Sequence, residues 1–246
     1  MTNAICLKTR PEAKYRLFCL PYAGGLGTAT YRPWIELLPE TIELYSIEYP
    51  GRPQVGGTPQ TKISDLVDIL FNDIKNLLDL PFIIYAHSFG SLIAFELTRK
   101  LQQEKRPMPK HLVVSSRRSP QVPHHGESLR DVDDSDFVDI MIKNYDAIPK
   151  VLLDEPDLMK LFLPILRADM NLNEQHIEGE DLKIDSPITL LVGSEEDYDI
   201  ETMLKPWSKL TRAEFKMLTY RGDHFFINTT ENRTQLIKLI VKSYEI

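Results

Sequence analysis

A compact apolar segment, Phe82–Ala86, is followed after two residues by a second apolar stretch, Phe89–Gln103. The first is too short for a helix and has the apolar content of a buried strand. The second is long enough for a helix and apolar on most sides, as a helix packed on a sheet must be. A strand buried on both faces and joined directly to such a helix belongs to a parallel sheet covered on both sides. The rest of the chain repeats the theme. Strand candidates recur at Arg16–Leu20, Ile42–Tyr49, His111–Ser115, Ile188–Val192 and Glu214–Leu218. Between Thr61 and Asp79, Ile63, Leu66, Val67, Leu70, Ile74, Leu77 and Leu78 form one helical stripe, and Glu231–Tyr244 reads as a closing amphipathic helix. Alternation of this kind predicts one α/β domain over residues 1–246, a mostly parallel sheet flanked by helices. Residues 1–14 read as a frayed start.

One block interrupts the alternation. Residues 128–180 hold helix patterns, at Asp136–Tyr145 and around Leu158, Leu161, Phe162, Ile165 and Leu166, with a kink expected at Pro164. An all-helical insertion between two strands predicts a cap over the strand ends, and a long crossover is the plainer alternative.

Composition removes several classes of function. With 29 basic and 36 acidic side chains the net charge is −7, without a basic stripe, which disfavours non-specific nucleic-acid binding. Cys6 and Cys19 form neither a disulfide framework nor a metal spacing, so a reduced, cytosolic setting and no metal are expected. No apolar run approaches a membrane span, and the start lacks the apolar core of a secretory signal.

Chemistry concentrates at Tyr85-Ala86-His87-Ser88-Phe89-Gly90, between the strand and its helix. A nucleophile elbow is such a turn: the serine is held in strained backbone angles, and small residues two before and two after it let strand and helix approach. Gly90 meets that need and Ala86 replaces the usual glycine; a plain turn is the alternative. A serine hydroxyl needs a base. Of six histidines, His224 follows the last strand candidate, where the third member of a Ser…Asp…His order falls. His87 would point off the turn, and His111, His124, His125 and His176 read as surface. The acid is expected after Ile188–Val192, where Gly193-Ser194-Glu195-Glu196-Asp197-Tyr198-Asp199 carries four carboxylates. Asp197 is favoured because the chain then has room to turn back toward the histidine, with Glu195 and Asp199 as alternatives. Two backbone N–H groups should face the oxyanion: that of Phe89, at a helix N-terminus, and that of Ala23, in the Pro21–Gly25 loop. Gly24-Gly25-Leu26-Gly27 also loosely suggests a dinucleotide-binding turn with Glu48 on the next strand, but Thr30 stands where the third glycine belongs.

Together these segments resemble type II thioesterases, the free-standing editing hydrolases of polyketide and non-ribosomal peptide assembly lines in the α/β-hydrolase superfamily. The resemblance runs from about Leu17 to the C-terminus. It rests on Leu17–Gly25, Tyr31, Trp34, Tyr49-Pro50-Gly51-Arg52, Ser115–Pro120, Leu163-Pro164-Ile165-Leu166-Arg167-Ala168-Asp169 and Gly222-Asp223-His224-Phe225-Phe226. Ala86 and Asp223 stand where the family usually has glycine. The resemblance implies an α/β-hydrolase fold with a helical lid over about 128–180. It implies acyl or peptidyl carrier proteins with phosphopantetheine thioesters as partner and substrate, and no cofactor. A chain-terminating acyl-carrier-protein thioesterase, an esterase, and a non-catalytic binding protein of the same fold are the alternatives. Carrier proteins of such pathways are acidic, so docking would rest on the lid's apolar face and on cations such as Arg117, Arg118, Arg130, Lys143 and Lys150. Arg117 and Arg118 could instead be structural.

Overall fold

The computed structural model describes all residues except 1, 124–127, 146, 147, 149, 176, 178, 180, 181, 245 and 246. Seven strands form one sheet: β1 Ala4–Lys8, β2 Tyr15–Leu20, β3 Ile42–Ile47, β4 Phe82–His87, β5 His111–Ser115, β6 Ile188–Gly193 and β7 Phe215–Tyr220. Their order is β1-β3-β2-β4-β5-β6-β7. β2 to β7 run parallel, and β1 pairs antiparallel with β3. The N-terminal segment is therefore not frayed. Its short, mixed pattern carries little periodicity because it is an edge strand, held by pairing from Ala4 with Ile47 to Lys8 with Leu44.

Helices cover both faces. Helix α2 (Ile63–Ile74) and α3 (Phe89–Gln103) pack on one face. The short α1 (Gly27–Tyr31) and α7 (Thr230–Lys242) pack on the other, around Tyr31, Trp34, Phe226, Leu236 and Ile240. Central strands β3, β4, β5 and β6 are buried along their whole length, which explains why they are rich in apolar residues rather than alternating with polar ones.

Between β5 and β6 the described residues form α4 (Asp134–Tyr145), α5 (Lys150–Leu153) and α6 (Pro156–Asn173). Helix α6 runs through Pro164 to Asn173. Its Leu166, Asp169, Met170 and Leu172 are buried, while Leu158 and Leu161 face out. Some expected surface residues lie inside. His111 is buried, with Nε2 2.7 Å from Thr189 Oγ1. Arg117 is buried too and bonds the Asn173 side chain and carbonyl, so it holds the end of α6 and is not a free docking cation. Arg118 also donates to that carbonyl, at 3.3 Å. Arg130 and Lys143 are exposed. His124, His125, His176 and the Lys150 side chain lie outside the described residues.

Candidate active site

β4 runs into α3 through Ser88, whose φ of 53° and ψ of −119° lie where side-chain-bearing residues are seldom found. The strain is held from several directions. Ser88 N–H donates to the Ser115 carbonyl (2.8 Å), and the Ser91 hydroxyl donates to the carbonyls of Ala86 (3.1 Å) and Ser115 (3.0 Å). A Cβ on Gly90 would sit 2.6 Å from the carbonyl oxygens of Leu20 and Pro21. Glycine at that position is what lets the helix start lie against the end of β2.

His224 follows β7 and turns back over the sheet. Its Nε2 lies 3.0 Å from Ser88 Oγ. Its Nδ1 lies 2.8 Å from a carboxylate oxygen, and that oxygen is Oε1 of Glu196. Asp197, the residue favoured from sequence, is exposed and makes no hydrogen bond or ion pair among the described residues. Asp199 caps the next turn through the Thr202 N–H (2.8 Å), and Glu195 is exposed. The turn after β6 is tighter than the sequence reading assumed: Glu196 N–H returns to the Gly193 carbonyl (3.2 Å). That closure aims the side chain of Glu196 inward and swings Asp197 out. The second oxygen of Glu196 is also engaged, accepting from Gly193 N–H (2.8 Å) and from the Ser116 hydroxyl (2.9 Å). Nothing in the local sequence separates Glu196 from its acidic neighbours.

Neither Ala23 N–H nor Phe89 N–H has a protein acceptor among the described residues. The loop bearing Ala23 is tied down on all sides. Tyr31 and Tyr49 hydroxyls donate to the carbonyls of Leu20 (2.7 Å) and Pro21 (3.0 Å). Glu48 accepts the N–H groups of Gly27 (3.0 Å) and Thr28 (2.6 Å), so the carboxylate weighed with a dinucleotide-binding turn braces this loop instead. Asp169, on α6, accepts from Gly24 N–H at 2.7 Å and pairs with the buried Arg52.

His87 points beneath the site, away from the Ser88 side chain that follows it on the turn. Nδ1 lies 2.7 Å from Ser115 Oγ, and the ring packs 5.3 Å from that of His224. Burial, and then the neighbouring His224, hold its pKa well below the ordinary value of 6.5, so His87 is neutral. Alongside runs a cleft of about 660 Å³ between Tyr22, Phe225 and the α6 side chains Leu158, Leu161, Phe162 and Ile165. Phe225, which lines the cleft, packs against both Tyr22 (5.0 Å) and His224 (5.1 Å). Among the described residues, no cluster of histidine, cysteine and carboxylate side chains could hold a metal, and no helix is long and apolar enough to cross a membrane.

A strained serine on a strand-to-helix elbow, bonded to a histidine that is oriented by a carboxylate, defines an α/β-hydrolase site. The chain belongs to the thioesterase-domain family, whose model matches residues 15–244. It is a hydrolase of the kind that acts on thioesters. It is 34% identical over 235 residues to the gramicidin S biosynthesis protein GrsT of Aneurinibacillus migulanus, covering 95% of this chain and 90% of GrsT. It is 29% identical over 250 residues to the medium-chain S-acyl fatty acid synthase thioesterase of Homo sapiens, covering 98% and 91%. Among solved structures it is similar to YbtT, the type II thioesterase of the yersiniabactin pathway, with a TM-score of 0.83 at 26% identity over 98% of this chain and 99% of that one.

Proposed function

We propose that the protein is a free-standing editing thioesterase that removes acyl groups from the phosphopantetheine arms of carrier proteins in a polyketide or non-ribosomal peptide pathway. One observation supports this reading above others: His224 bridges Ser88 and Glu196 at 3.0 and 2.8 Å. Ser88 attacks the thioester carbonyl while His224 takes its proton. Glu196 fixes the imidazole with its proton on Nδ1 and stabilises the imidazolium that forms. The oxyanion lies between the N–H groups of Ala23 and Phe89, the latter helped by the dipole of α3. The pantetheine thiol leaves, and His224 then activates water to release the acid. No cofactor enters these steps.

Helices α4 to α6 act as a lid, with the cleft under α6 taking the acyl chain. The likeness to the type II thioesterase YbtT and to the gramicidin S biosynthesis protein GrsT supports a role in such a pathway, with carrier-bound substrates and a cytoplasmic setting beside the synthetases. A second reading has one observation in its favour. The likeness to a fatty acid synthase thioesterase over nearly the whole chain allows chain termination at a defined length. Mass spectrometry of a panel of acyl-loaded carrier proteins, with Ser88→Ala as control, tests both. Editing predicts hydrolysis of short and mismatched acyl groups, and termination predicts a sharp optimum at one longer chain. Hydrolysis undiminished in Ser88→Ala would exclude the mechanism, because loss of a triad nucleophile costs on the order of 10⁶ in kcat. A fluorophosphonate probe that failed to label Ser88 would favour a non-catalytic binding protein.

A further inference from the structure

An oxyanion hole works only if its donors are held where the charge will develop before the reaction begins. The Ala23 donor sits in a loop that should be poor at holding itself. Gly24 and Gly25 follow it, and Gly24 has φ of +73°, a conformation open to glycine at little cost. The constraint comes from elsewhere in the chain. Asp169 reaches down from α6 and accepts the Gly24 N–H at 2.7 Å through Oδ2. The bond is charge-assisted and buried, so it is stronger than a neutral one. Arg52 holds both carboxylate oxygens in a forked pair, Nη1 at 3.1 Å from Oδ1 and Nη2 on Oδ2. Its Nε points at the Gly25 carbonyl at 3.5 Å. The guanidinium lies over the Tyr49 ring, 5.0 Å from its centre, and that ring packs 5.4 Å from Phe89, which carries the other donor.

Both partners of the pair are almost wholly buried. A buried ion pair contributes little to stability, because desolvation offsets most of its attraction. What this one does supply is geometry. It joins α6, the two-glycine loop and Arg52 at one point beside the nucleophile. Helix α6 also closes over the glycine from above: a Cβ on Gly24 would lie 3.0 Å from the side chains of Leu166 and Phe162.

We propose that Asp169, held by Arg52, is a positioning residue for the oxyanion loop, so that the site is competent only while α6 is seated. The inference rests on the thioesterase reading above. It makes the lid helix a structural part of the catalytic site. Any movement that lifts α6 removes the acceptor from Gly24 N–H and releases the loop carrying Ala23.

The experiment compares the wild type with D169N and D169L/R52M, using butyryl-N-acetylcysteamine as the thioester. Rates are expressed per serine titrated to the endpoint with a fluorophosphonate, which removes the contribution of misfolded protein. D169L/R52M replaces both charges by apolar groups of similar size, a change that buried pairs often tolerate in stability. It should keep its fold and lose about 10²–10³-fold in kcat, the scale of a lost oxyanion donor. KM should stay within about threefold and the pH profile should be unmoved, because the Ser88–His224–Glu196 bonds lie outside the pair. D169N keeps the volume and turns an amide toward Arg52, and should lose at least about tenfold in kcat if the charge orients the loop. Wild-type kcat per titrated serine in either variant overturns the proposal, as does a loss confined to KM. A wild-type protein unable to hydrolyse any acyl thioester would instead overturn the thioesterase reading.

Discussion

Replacing Glu196 by glutamine changes one atom and should nearly silence the enzyme. The carboxylate has three partners and both its oxygens accept: Oε1 from His224 Nδ1 (2.8 Å), Oε2 from Gly193 N–H (2.8 Å) and the Ser116 hydroxyl (2.9 Å). Glutamine has one accepting oxygen, so it can satisfy one side only. If that oxygen keeps Gly193 and Ser116, its NH₂ faces Nδ1. The imidazole must then carry its proton on Nε2, against Ser88, where it cannot act as a base. A histidine held in that tautomer lowers kcat by about 10⁴. The flipped amide restores the tautomer but sets NH₂ against the Gly193 N–H, leaving a buried donor unsatisfied at about 1–3 kcal/mol. The imidazolium also loses its counter-charge in either arrangement. The flip sets the lower limit, so the expected loss is about 10²–10⁴-fold in kcat with little change in KM. Thiol release from an acyl-N-acetylcysteamine ester measures it. Asp197→Asn, at the exposed neighbour, should stay within about threefold, as surface substitutions do. Wild-type turnover in Glu196→Gln, or a crippled Asp197→Asn, would refute the assignment of the acid.

Gly90→Ala should move the end of β2 away from Ser88, because its Cβ would meet two backbone oxygens at 2.6 Å that no side-chain rotation relieves. The expected result is about 1–3 kcal/mol of lost stability and about 10²-fold in kcat, checked by denaturant melts and turnover. Ile165→Trp fills the cleft under α6, and should lower kcat/KM for a decanoyl thioester at least about tenfold more than for an acetyl one, since the short chain leaves the cleft unused. The pH dependence of stability has a definite sign. His87 is held neutral in the fold, with its pKa well below 6.5, so below that pH the unfolded chain binds a proton that the folded one does not. Stability from this group is intact above 6.5 and falls as pH drops, by up to about 1.4 kcal/mol per pH unit until the folded pKa is reached. Urea melts at pH 7, 6 and 5 should show a shallower decline for His87→Gln, and identical slopes would contradict the buried, neutral state.

Much of this protein was legible before folding was considered. Buried strands such as Phe82–His87 and the apolar helix Phe89–Gln103 identify themselves because parallel sheets bury both strand faces, which writes long apolar runs into the chain. The serine was legible for a related reason. An elbow needs small residues at fixed offsets between a strand and a helix, and that need is local. His224 came from chain order, after the last strand and before the closing helix. The helical insertion came from the absence of any strand pattern between β5 and β6.

The tertiary structure decided whatever depends on side-chain direction or on pairing between distant segments. Glu196, Asp197 and Asp199 are chemically alike and lie within four positions. The return of Glu196 N–H to the Gly193 carbonyl turns one of them toward His224 and leaves Asp197 in solvent. β1 was missed because an edge strand is fixed by its neighbour β3, not by its own pattern. Arg52 and Asp169 stand 117 positions apart. Both fall in segments that resemble those of thioesterases, but only folding brings them together on Gly24. Composition and periodicity record how much of a residue is buried. They do not record what it faces, and the carboxylate on His224, the braced loop and the seat of α6 are all matters of what faces what.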